Sequence, residues 1–144
     1  LTDAEAAYHR ALAVRGPLAG AHPTNGLFAV NHAADLVGLA RTAARRGRPE
    51  SAADWAAQAV ARLDSGSRPA NYREMGDRVL VDALRVRGAA LAQTGRVDEA
   101  AADWRRLVSS GRDGGWAVVQ LCFAETGWPA VAALLAQAAE QVAD

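Results

Sequence analysis

Residues 88–104 read Gly88-Ala89-Ala90-Leu91-Ala92-Gln93-Thr94-Gly95-Arg96-Val97-Asp98-Glu99-Ala100-Ala101-Ala102-Asp103-Trp104, and this stretch decides the fold. Upstream of Gly95, Val79, Leu84, Ala90 and Leu91 recur at helical spacing, which predicts a long helix over Asn71 to Thr94. Gly95 ends it, because glycine takes up the left-handed conformation that closes a helix at little cost. Asp98 and Glu99 then suit the electropositive first turn of a partner helix reaching about Val108. The stretch is a helix hairpin closed by a tight turn.

The same pattern recurs on both sides. A long helix is expected from about Leu27 to Arg46, carrying Leu36, Leu39, Ala40 and Ala43 on one side; Gly47 punctuates it, and Pro49-Glu50 opens a partner helix to about Leu63. Downstream, Trp116 to Thr126 and Pro129 to Val142 read as a last pair joined at Gly127. At the start, Thr2-x-x-Glu5 is a capping-box pattern, Tyr8, Ala11 and Leu12 form one stripe, and Gly16-Pro17 should stop the helix. With two prolines and three glycines, Gly16 to Gly26 reads as a loop. The sum is an all-α domain of about seven helices spanning 1–144, in units near 1–15 (partial), 27–64, 71–109 and 114–142.

Composition agrees. Of 144 residues, 36 are Ala, only 6% are aromatic, and β-branched residues other than Val are few, which leaves an all-β fold without support. Sixteen acidic residues balance sixteen basic ones, all of them Arg, so neither a generic nucleic-acid binder nor a polybasic membrane anchor is expected. The longest mostly apolar stretch, Ala130 to Ala139, falls far short of the ~20 residues needed to cross a bilayer. A single cysteine, Cys122, cannot form an internal disulfide, and the expected compartment is the cytoplasm. The chain begins at Leu1 without Met and reads as a piece of a longer protein.

Gly47, Gly95 and Gly127 are spaced by 48 and 32 residues, and Ala52-Ala53-Asp54-Trp55 recurs as Ala101-Ala102-Asp103-Trp104. Leu84, Gly88, Leu91, Ala100 and Trp104 fall at the spacings of a tetratricopeptide repeat, which this unit resembles. Leu36, Leu39, Ala40, Ala43, Ala52 and Ala56 carry the likeness in the unit before, and Trp116, Val119, Phe123, Ala132 and Ala136 in the unit after. Trp55 stands one residue closer to its glycine than Trp104 does. Arg10 to Val14 followed by Gly20-Ala21-His22-Pro23 also resembles the longer kinesin-light-chain-type repeats of bacterial signalling proteins, whose asparagines before the Leu-Ala pair are here Val37 and Gly38. The resemblance implies antiparallel hairpins stacked as a right-handed solenoid, with front helices lining a concave groove.

No chemistry is legible. His9, His22, His32 and Cys122 lack metal-site spacing, and neither a phosphate-binding glycine loop nor a nucleophile elbow is present, so no catalytic residue, metal or cofactor is expected. Trp55, Trp104 and Trp116 are expected in the core. Arg41 and Arg45 are four residues apart and face away from Leu39, Ala40 and Ala43; the equivalent positions are Arg85, Ala89 and Gln93, then Ala117, Leu121 and Glu125. Arg41, Arg45, Arg85, Gln93 and Leu121 are therefore the candidate groove residues, for a protein or peptide partner with an acidic segment. A solvated arginine surface accounts for the same pattern. Two other readings stand beside the scaffold of a regulatory protein: a domain packing on a fused kinase or NTPase, and a small-ligand binder or enzyme.

Overall fold

The computed structural model describes residues 2–65, 70–111, 115–118 and 120. Among them all regular structure is helical, with no strand. Five helices are α1 (Thr2–Ala21), α2 (Gly26–Arg45), α3 (Pro49–Ser65), α4 (Arg73–Gln93) and α5 (Val97–Ser109), and a short 3-10 turn, Ala70–Tyr72, precedes α4. Residues 115–118 and 120, at the start of the expected helix Trp116 to Thr126, are helical; the rest of the expected last pair, Gly127 and the candidate Leu121 lie outside the described residues.

The two complete hairpins close in the same way. The last residue of α2's cap, Arg46, and its counterpart Thr94 share φ −94° and ψ 7°, and the glycines that follow are left-handed, Gly47 at φ 67° and Gly95 at φ 79°. Arg48 N–H donates to the Ala43 carbonyl at 3.0 Å and Gly47 N–H to Ala44; Arg96 N–H donates to Leu91 at 2.9 Å and Gly95 N–H to Ala92. This paired motif satisfies carbonyls that the helix end leaves without partners. Gly47 and Gly95 thus sit at tight turns, as the sequence predicts.

Register about these glycines explains the core. Seven residues before and nine after stand Ala40 with Ala56 in the first hairpin and Gly88 with Trp104 in the second; Ala40 and Ala56 are fully buried and Trp104 is 2% exposed. A Cβ on Gly88 would lie 2.4 Å from Trp104 Nε1, so the glycine is what admits the indole. The smaller pair does the same work with two methyls. Ala52 and Ala100, five residues after the glycines, are both fully buried, as close helix approach requires. Trp55 is not the equivalent of Trp104: one position early, it is only partly buried at the edge of the core, and meets His9 of α1 edge to face at 5.8 Å. The equivalent position is Ala56.

Replacing Gly88 by Ala should therefore destabilise the chain by about 1–3 kcal/mol, the usual cost of overpacking, even though alanine is the better helix former by about 1 kcal/mol. Chemical denaturation measures it, and an unchanged or raised midpoint would remove the role given to this glycine.

α2 packs against α1, α3 and α4, and α4 against α3 and α5, so α2 and α4 are neighbours with α3 across both. The core runs continuously through these elements, from Val30 and Leu36 through Leu63 and Leu84 to Leu107 and Val108.

The first helix departs from expectation. It does not stop at Gly16-Pro17 but runs on to Ala21, so the expected loop over Gly16 to Gly26 shrinks to the turn His22–Asn25. Pro17 removes a hydrogen bond to the Ala13 carbonyl, but both residues are exposed and water can take that carbonyl. Tertiary contacts outweigh the local signal: Arg15 binds Asp35 of α2, Ala19 is fully buried, and Arg62 of α3 donates to the Ala19 carbonyl at 2.6 Å. That carbonyl's helical donor would be residue 23, a proline without N–H. Asn25 then caps α2, its side chain accepting from the Leu27 and Phe28 N–H groups. Glu5 of the predicted capping box has its carboxylate bound by Arg46 and Arg48.

Candidate functional site: a basic groove between α2 and α4

Asp82, Arg85, Ala89 and Gln93 lie at i, i+3, i+7 and i+11 on one face of α4. They meet Arg41, Ala44 and Arg45 of α2 across a groove of about 370 Å³ that Pro49 also lines. Four candidates read from the sequence, Arg41, Arg45, Arg85 and Gln93, thus line one cavity. A second hollow of about 350 Å³ shares Arg41, Arg45 and Asp82 and continues to α1, where Ala4 and Tyr8 form its wall with Val37, Gly38 and Val79. The groove is therefore basic at the α4 end and largely apolar towards α1.

Small residues make this wall. A Cβ on Gly38 would lie 2.3 Å from the Tyr8 ring, so the missing side chain seats the tyrosine flat across α2. Thr42, one turn on, is buried and turns its hydroxyl inward to the Gly38 carbonyl at 2.9 Å, which keeps a polar group off the groove floor.

Charge in the groove is unbalanced. Three arginines face a single carboxylate, Asp82, which stands 4.0 Å from Arg41 with both side chains about half exposed. At that distance and exposure the pair holds its partners loosely. Arg85 lies 4.8 Å above the Trp116 ring, a cation–π contact that braces its guanidinium at the groove edge. Arg45 has no acidic partner among the described residues. Several arginines outside the groove are closely matched: Arg15 to Asp35, Arg46 and Arg48 to Glu5, Arg87 to Asp103, Arg106 to Asp64 and Arg96 to Glu99. Hydrogen bonding from Arg48, with the added charge of Arg46, holds Glu5 below its ordinary carboxylate range, and Arg96 does the same to Glu99.

Sequence reading missed Asp82, Tyr8 and Val79. Asp82 could have been found, since it precedes Arg85 by three on the same face; Tyr8 could not, because its place depends on α1 lying across α2. The histidines are scattered: His9 meets Trp55, His22 meets Phe28, and His32 lies beneath α1. Among the described residues no three His, Cys, Asp or Glu side chains gather as a metal site, and no helix is long and apolar enough to cross a membrane. In comparison with known proteins, the chain matches no family model, no curated protein and no solved structure.

Proposed function

We propose that this chain is a non-catalytic, tetratricopeptide-like interaction module, a right-handed stack of helix hairpins that binds an acidic segment of a partner protein along the groove between α2 and α4. The observation that carries this reading is the groove's charge, Arg41 and Arg45 opposite one loosely held aspartate, Asp82, in a chain of formal net charge +0. Guanidinium groups suit carboxylates because their planar fork donates two parallel hydrogen bonds. The apolar wall of Tyr8, Val37 and Val79 would receive the hydrophobic neighbours of the acidic residues. The matched turns at Gly47 and Gly95 and the equivalent positions around them support the repeat reading.

A fluorescein-labelled octaglutamate peptide tests it without knowledge of the native partner. Exposed ion pairs contribute about 0.2–1 kcal/mol each, and reversing both Arg41 and Arg45 to Glu turns two attractions into two repulsions, so binding should weaken about tenfold. The melting temperature should hold, because both side chains are exposed and surface substitutions of this kind fall within about 0.5 kcal/mol. Binding of the unaltered chain should also weaken as salt rises, following the Debye length. Peptide affinity indifferent to the double reversal would place the acidic ligand elsewhere or nowhere.

A further inference from the structure

We propose that α1 is an electrostatic latch on the groove, a helix whose docking, and with it one wall of the binding surface, is released by acid and by salt. The latch deepens the groove reading above and rests on it.

The helix is attached differently from its neighbours. α2 buries a nearly continuous set of side chains from Ala29 to Ala43, whereas the only buried residue of α1 is Ala19. Of its three large aliphatic side chains, Leu12 is partly buried against the core while Val14 is 64% and Leu18 40% exposed. Less apolar area therefore holds it than holds α2, and Pro17 weakens it as an isolated helix. Polar clamps grip its two ends instead. Near the start, Glu5 is held by Arg46 and by Arg48 at 2.8 Å, both from the turn between α2 and α3. Near the end, one nitrogen of Arg15 reaches both oxygens of Asp35 at 2.8 Å, and Arg62 donates to the Ala19 carbonyl. Between the clamps, Tyr8 lies over Gly38 and forms, with Ala4, the α1 wall of the groove. Undocking α1 removes that wall.

His32 of α2 makes the clamp responsive to acid. It lies under α1 at Gly16, whose added Cβ would stand 4.0 Å from its Nε2, and its Nδ1 is buried without a partner among the described residues. Around it are Arg62 from α3, Asp35 from its own helix, and Arg15 from α1, which is bound to Asp35. Burial and, less strongly, repulsion from Arg62 lower its pKa below the usual 6.5, with Asp35 opposing. The burial that α1 at Gly16 adds to His32 means docking is at full strength above pH 6.5 and weakens as pH falls, since the uncovered histidine takes the proton more readily, whereas the Arg62 repulsion comes from α3 and stays when α1 leaves. Glu5 adds a second loss of the same sign, confined to pH below about 4.5 because its own value is lowered by Arg48 and Arg46. Between pH 7.5 and 5.5 the response belongs to His32.

Amide hydrogen exchange on the whole 144-residue chain reads the latch directly, with α3 and α4 as internal references and intrinsic rates corrected for pH. Opening of α1 should rise severalfold, and at most about tenfold, between pH 7.5 and 5.5, the limit set by one histidine of ordinary unfolded pKa. It should also rise at pH 7.5 in 1 M salt and in E5Q, and H32Q should abolish most of the acid response. Octaglutamate affinity should fall in step at pH 5.5, where the arginines keep their charge and the peptide is still largely ionised. Protection of α1 that ignores pH, salt and both substitutions overturns the latch, as does α1 opening that leaves peptide affinity unchanged. If octaglutamate fails to bind even at pH 7.5 and low salt, the groove reading falls while the exchange data still decide whether α1 is clamped as described.

Discussion

Replacing Trp104 by Ala should destabilise the chain by about 3–5 kcal/mol, the range for emptying a buried aromatic site. The indole is 2% exposed and faces Gly88, so truncation leaves a hollow next to a residue that has no side chain to fill it. In most cores a neighbour relaxes into the gap. Here that neighbour is bare helix backbone, and collapse requires α4 and α5 to move together. Trp104→Phe should cost much less, because the Nε1 proton is buried without a partner among the described residues and the phenyl ring has no donor to leave unsatisfied. Denaturant midpoints at constant m-value measure both. A Trp104→Ala chain as stable as its parent would mean that the Gly88 and Trp104 contact is not what fixes this hairpin.

Compensation follows from the same geometry. Gly88→Ala introduced into Trp104→Phe should be better tolerated than in the parent, since the Cβ that would lie 2.4 Å from Nε1 then meets a smaller ring.

What the sequence carried, and what it could not carry, divides along physical lines. The helix hairpins were legible because each turn needs a left-handed residue and Gly47 and Gly95 are the residues that supply it at least cost. Arg41, Arg45, Arg85 and Gln93 were legible as one surface because helical spacing and two equivalent glycines define which face each occupies. The end of α1 was not legible. Gly16-Pro17 carries a real local stop signal, and only contacts with residues far along the chain, Asp35 and Arg62, overrule it. The tryptophan motif misled for a related reason. Ala52-Ala53-Asp54-Trp55 and Ala101-Ala102-Asp103-Trp104 match letter by letter, yet they stand one residue apart relative to their turns, and in a helix one residue is a rotation of about 100°. Trp104 is buried in the core while Trp55 is only partly buried at its edge, and Asp103 is buried while Asp54 is exposed. The register from the glycine, not the motif, sets the face.

Burial of Asp103 leads to the other large effect. Its carboxylate is 4% exposed and accepts from Arg87 Nε at 2.7 Å and from a second guanidinium nitrogen, while Arg87 itself is 23% exposed. The hydrogen bonds that Arg87 donates to Asp103 raise its pKa against the opposing effect of burial, so the arginine stays charged. The two partners are not equally dispensable. Removing Arg87, as in Arg87→Met, strands a carboxylate out of reach of water, and the nearby Arg96 is already engaged by Glu99. Breaking a buried pair from that side should cost about 3–5 kcal/mol. Removing the charge at Asp103 instead, as in Asp103→Asn, leaves a guanidinium that still reaches solvent and an amide that can still accept one bond, so the loss should be smaller, about 1–2 kcal/mol. The double change Arg87→Met and Asp103→Leu should recover most of the stability lost in Arg87→Met, because hydrophobic replacement of a buried ion pair is often neutral. A full double-mutant cycle by urea denaturation tests this order. Equal costs for the two single changes would mean that water reaches Asp103, and a double variant as unstable as Arg87→Met alone would show that the pair's geometry, rather than the stranded charge, is what α4 and α5 depend on.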